Sequence, residues 1–89
     1  MPTTNSAPAV VYQGTSPTDA RLVARAMRLQ EEFMKARPRA SAPTRADVIR
    51  GRHNGDAEVR MYDEKDALVA RYRWDSEGDN MHKVANHNQ

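Results

Sequence analysis

Residues 57–74, AEVRMYDEKDALVARYRW, alternate inward- and outward-type side chains at almost every step. Ala57, Val59 and Met61 alternate with Glu58, Arg60 and Tyr62. After the polar DEKDA, Leu68, Ala70, Tyr72 and Trp74 alternate with Val69, Arg71 and Arg73. A period of two belongs to a strand with one buried face. Two such strands joined by a short polar loop predict a β-hairpin. A hairpin alone is at best marginally stable in water. The rest of the chain must therefore cover the face of Met61, Leu68, Tyr72 and Trp74. On the other face Glu58 comes near Arg71 or Arg73, a pairing worth at most ~1 kcal/mol.

The cover is legible upstream. In SPTD, Ser16 can cap a helix, Pro17 suits its first position, and Asp19 follows three residues after the cap. The helix runs to Ala36 or Arg37, because Pro38 disfavours helix at the residue before it. At about 100° per residue, Leu22, Val23, Ala26, Leu29, Phe33 and Ala36 share one face, with Met27 and Met34 at its margin. A second start signal, TRADVIRG, has Thr44 as cap, Asp47 three residues on and Gly51 as terminator. It predicts a short helix anchored by Val48 and Ile49, too short to persist unless docked. Residues 10–12 have β propensity and read as a short strand or an extended arm.

The expected fold is α+β: a small two-layer domain. One long amphipathic helix plus a short helix packs on a C-terminal antiparallel β-hairpin, with an extra N-terminal strand. Residues 1–9 read as a disordered leader, 10–74 as the single α+β domain, and 75–89 as a polar flexible tail. With 89 residues, one Trp, one Phe and three Tyr, the core is small. A partner or a second copy of the chain would relieve marginal stability.

Cysteine is absent, which excludes disulfides and thiolate metal sites and fits a reducing cytoplasmic setting. The N-terminus lacks the pattern of a secretory signal, and no apolar run reaches the ~18 residues of a membrane span. Charge is unevenly distributed. Residues 1–55 hold nine Lys and Arg against four Asp and Glu, whereas 56–89 hold five against eight. That asymmetry suits an acidic partner, or self-association.

Two basic groups stand out. Arg21, Arg25, Arg28 and Lys35 form a stripe on the long helix, softened by Glu31 and Glu32, and read chiefly as its solvated side. Arg37, Arg39, Arg45, Arg50 and Arg52 form a denser segment with Asp47 as the one acid. Guanidinium groups there can bind phosphate or carboxylate bidentately. Arg60, Arg71 and Arg73 add to the partner-binding candidates on the hairpin.

Neither a ribbon-helix-helix nor a winged-helix outline fits. The first would have to read bases with VVYQ, which carries no basic side chain, and the second would present the acidic DEKDA as its wing tip. DSEGDN has acids at alternate positions but lacks the calcium-loop glycine and closing glutamate. His53, His82 and His87 do not have helical metal-ligand spacing. No catalytic motif is present, so no catalytic residue, metal or cofactor is expected. The expected function is a non-enzymatic protein-interaction module, such as a small phage- or plasmid-type regulator, adaptor or inhibitor. It would bind another protein through a hairpin edge or an arginine-rich surface, and a homodimer is compatible with this. The alternative is a nucleic-acid-binding regulator using the segment from Arg37 to Arg52.

Overall fold

The structure, a computed structural model, describes residues 11, 12, 14–37, 42–51 and 55–84. A two-residue strand β1 (Val11–Tyr12) precedes helix α1 (Pro17–Ala36). Strands β2 (Arg45–Arg50), β3 (Ala57–Tyr62), β4 (Leu68–Asp75) and β5 (Asn80–Lys83) follow. β2 to β5 form an antiparallel meander in chain order, and β1 lies parallel to β2, with Val11 opposite Arg45 and Tyr12 opposite Ala46. The α+β class and the hairpin of β3 and β4 are as expected. The expected leader, residues 1–9, lies outside the described residues.

Helix α1 starts as its sequence requires. The Ser16 side chain accepts a hydrogen bond from the Asp19 backbone N–H at 3.2 Å, and Pro17 occupies the first turn. Ser16→Ala should lower stability by about 1 kcal/mol, read as a shift of the urea midpoint at unchanged slope. The buried stripe is Leu22, Val23, Ala26 and Gln30. It is rotated from the expected one: Leu29 is 37% exposed and Ala36 faces solvent. The cause is polar. Gln30 is drawn inward as the hydrogen-bond partner of groups on the sheet.

Residues 44–51 are not a second helix. All six residues of β2 pair with β3, from Arg45 opposite Tyr62 to Arg50 opposite Ala57. Backbone bonds from Thr44 to Tyr62 and from Gly51 to Asp56, both 2.8 Å, continue the ladder at each end. A two-turn helix has few internal bonds to set against that, and the β-branched Val48 and Ile49 suit a strand. As a strand, the segment turns Ala46 and Val48 toward α1.

Residues 75–83, part of the expected tail, instead form the end of β4, a turn and β5. β4 extends to Asp75, and DSEGDN is a turn that delivers β5. The Asp75 carboxylate accepts from the N–H groups of Glu77 (3.1 Å) and Gly78 (3.3 Å), and Asp79 takes a left-handed conformation at φ 52°. An Asp is among the residues that tolerate this region. Residues 85–89 lie outside the described residues.

The core is Leu22, Val23 and Ala26 of α1 against Ala46, Ala57, Val59, Met61, Ala70 and Tyr72 of the sheet. Leu68 does not join it. A bulge beside Met61 and Tyr62 pairs Met61 with Ala70 and Tyr62 with Leu68. The extra residue, Val69, packs against the core instead, while Leu68 is 38% exposed.

Candidate functional site

One face of the sheet packs on α1. The strand registers set the composition of the other. Three rows cross it: Arg45 beside Tyr62; Asp47, Arg60 and Arg71; then Ile49, Glu58, Arg73 and His82. Four arginines from three strands thus share a face that no described element packs against as α1 does on the opposite side.

Glu58 organises this face. Its carboxylate accepts from Arg71 Nε at 2.7 Å and from Arg60 Nε at 3.0 Å, with Arg73 Nη2 at 3.8 Å. The Glu58 side chain is 12% exposed. Its burial opposes ionisation, but the hydrogen bond from Arg60 and the charge of Arg71 outweigh that and hold the carboxyl below the usual glutamate range. Arg60 and Arg71 both give Nε to the same oxygen, so one acid orients two guanidinium planes. Arg45 bonds Asp66 at 2.7 Å, and its guanidinium lies 4.3 Å from the Tyr62 ring centroid. The face therefore keeps a small positive excess: Arg45, Arg60, Arg71 and Arg73 against Asp47, Glu58 and the Asp66 that pairs with Arg45.

The basic segment from Arg37 to Arg52 does not form one surface among its described members. Arg45 and Arg50 are five apart on one strand, which puts them on opposite faces. Arg50 lies on the α1 side, where it pairs with Asp19, donates to Gly55 O at 3.1 Å and lies over the Trp74 ring at 5.9 Å. Arg37 closes α1, 5.4 Å from the Phe33 centroid. Arg39 and Arg52 lie outside the described residues.

The helical stripe is broken too. Arg25 bonds the Asp79 carboxylate at 2.8 Å and its carbonyl at 3.0 Å, and Lys35 pairs with Glu32 at 3.2 Å. Arg21 and Arg28 are exposed and have no ion pair among the described residues. Asp79 also accepts from Trp74 Nε1 at 2.8 Å. That bond and the one from Arg25 keep its carboxyl below the ordinary range.

A polar cluster that sequence reasoning missed lies under α1. Gln30 Oε1 accepts from the Tyr72 hydroxyl at 2.7 Å and from Lys83 Nζ at 3.1 Å. Lys83 Nζ is also 4.2 Å from the Phe33 centroid and 5.1 Å from that of Tyr72. Burial pushes the Tyr72 hydroxyl up to about 12 and the Lys83 ammonium down. The available signal is a polar residue lying between Ala26 and Val23 on the inward arc of the helix. Its partners became identifiable only once β5 was in the sheet.

The Tyr72 hydroxyl and the Lys83 ammonium thus share one acceptor on α1, which ties the helix to β4 and β5. Among the described residues no group of three His, Asp or Glu is placed to hold a metal, and no helix is long and apolar enough to cross a membrane. The chain matches no family model, no curated protein and no solved structure.

Proposed function

We propose that the protein is a non-enzymatic interaction module that docks the outer face of its sheet on an acidic surface of another protein. The observation that carries this reading is the set of Arg45, Arg60, Arg71 and Arg73 on one uncovered face. Guanidinium groups held in fixed planes suit carboxylates, which they bind bidentately. Glu58 preorganises two of them, and preorganisation lowers the ordering cost of binding. Tyr and Arg are also enriched in the cores of protein interfaces, and Ile49, 42% exposed, supplies apolar area beside them.

The nucleic-acid alternative has one supporting feature, the Tyr62 ring on the same face, because bases stack on exposed aromatics. Against it, Arg45 already covers that ring, and Glu58 and Asp47 reduce the field a polyphosphate would meet.

A labelled peptide rich in Asp and Glu and labelled single-stranded and duplex DNA separate the two readings when titrated over a salt series. The peptide should bind, and Arg71→Ala with Arg73→Ala should weaken it at least tenfold, while Arg21→Ala with Arg28→Ala leaves it unchanged. Failure of the peptide to bind at low salt overturns the proposal. Tighter binding of DNA, lost steeply with salt, would transfer the face to nucleic acid.

A further inference from the structure

Among the described residues β5 is the last strand of the sheet, and its outer edge has a definite hydrogen-bonding phase. The Val84 N–H bonds the Arg71 carbonyl at 2.9 Å. The register places Tyr72 opposite Lys83, Arg73 opposite His82, Trp74 opposite Met81 and Asp75 opposite Asn80. In an antiparallel ladder directly opposite pairs alternate between bonded and non-bonded. Val84, His82 and Asn80 therefore use their backbone groups on β4. The N–H and C=O groups of Met81 and Lys83 point away from the sheet. No bond from them to another described element completes the ladder on that side.

We infer that the β5 edge pairs antiparallel with β5 of a second copy of this chain, about a two-fold axis at His82. The phase of the edge selects this register. With His82 on the axis, Met81 of each copy meets Lys83 of the other, and both outward pairs form bonds in both directions. An axis at Met81 would put each Lys83 beside the Asp79 turn and form one bonded pair fewer. An axis at Lys83 would place two ammonium side chains directly opposite each other, which is unfavourable. The strand is thus self-complementary in one register, as an isologous interface requires. Helix α1 makes most of its sheet contacts on β2, β3 and β4, and it meets β5 through the Lys83 side chain on the face of the sheet, whereas the groups that would pair with a second copy are backbone groups in its plane. The paired sheet would carry two arginine faces on the same side, one on each flank of the axis.

The absence of cysteine makes the register directly testable. Across the axis the two His82 residues form a non-bonded pair, with Cα atoms about 4.5 Å apart, within disulfide range. Asn80 is two residues from the axis in each copy, so its two Cα atoms stand about 13 Å apart, beyond that range. The full chain carrying His82→Cys should form an inter-chain disulfide under mild oxidation, and Asn80→Cys should not. Equal cross-linking at the two positions, or none at 82, overturns the inference.

Sedimentation of the unmodified chain should show the average mass rising from one chain toward two with concentration. A single-chain mass up to about 1 mM also overturns it. Met81→Pro removes an outward N–H and leaves the bonds to β4 in place, a substitution that edge strands tolerate. It should weaken the dimer at least tenfold. If that variant fails to fold, His82→Glu sets two carboxylates across the axis and should weaken the dimer to a similar degree. An unchanged dimerisation constant in the folded variant removes the proposal. Cross-linking at residue 82 and binding of the acidic peptide are separate readouts, so either idea can fail while the other stands.

Discussion

Tyr72→Ala is expected to cost about 4 kcal/mol of folding free energy, the largest effect of any single substitution considered for this chain. Tyr72 is 1% exposed and among the largest fully buried side chains. It stands on β4 opposite Val59 and Lys83, beneath α1, so its removal leaves a void that backbone on both layers resists closing. The hydroxyl adds a second term. Its bond to Gln30 is lost, although Gln30 keeps Lys83 as a donor.

Natural domains have about 0.05–0.15 kcal/mol of stability per residue, or about 4–13 kcal/mol for 89 residues. The alanine variant should therefore retain at most about 9 kcal/mol, and at the low end of that range it sits at its transition without denaturant. Urea unfolding followed by far-UV circular dichroism measures this. Tyr72→Phe, which keeps the ring, should lose only about 1 kcal/mol. A loss in the phenylalanine variant equal to that in the alanine variant would show that the hydroxyl, rather than the packed ring, carries the effect.

The same hydroxyl has a signature at high pH. Its folded value, about 12, lies above the ordinary tyrosine value, near ~10. The folded state thus favours the protonated form. The resulting stability is fully present below the unfolded value and is lost as pH rises through the folded one. Tyr72→Phe should flatten that part of the alkaline limb.

Glu58→Ala is expected to destabilise the fold by about 2 kcal/mol at neutral pH. The variant leaves Arg60, Arg71 and Arg73 close together on adjacent strands without the carboxylate they share. Like charges directly across a ladder are unfavourable, and Arg60 stands directly opposite Arg71. Glu58→Gln keeps an acceptor in place and should lose less.

The sign of the pH dependence follows from the depressed folded value of Glu58. Its contribution is present above the unfolded glutamate value, near ~4.3, and fades as pH falls through the folded value. Wild type should therefore lose stability over that acid range more steeply than Glu58→Gln. Parallel acid limbs in the two proteins would show that Glu58 does not carry the effect. Both variants should also weaken binding of the acidic peptide, because the guanidinium planes lose their common anchor.

The candidate site was partly readable before folding. Period-two alternation put Glu58, Arg60, Arg71 and Arg73 on one face of a hairpin, and the Glu58–Arg71 contact follows from cross-strand proximity alone. Arg45 is not legible as part of that face. Nearness in sequence groups it with Arg50, whereas a strand separates residues an odd number apart onto opposite faces. The charge-rich helix was equally misleading in one respect: Arg25 is occupied by Asp79, 54 residues later.

What the sequence by itself determined are the features with local causes. Ser16, Pro17 and Asp19 set the start of α1 through contacts within a few residues. Alternation set β3 and most of β4 because the pleat reverses the side chain at each step. Tertiary structure alone decided the state of residues 45–50, the course of the chain past Asp75, and the inward turn of Gln30. TRADVIRG carries helix caps at both ends, but its strand form bonds to β3 along its whole length, and such pairing lies outside any local window. DSEGDN looks like a solvated tail until β4 offers β5 an edge. Gln30 is a surface residue by type, and it becomes a core residue because Tyr72 and Lys83 bring it donors from two separate strands.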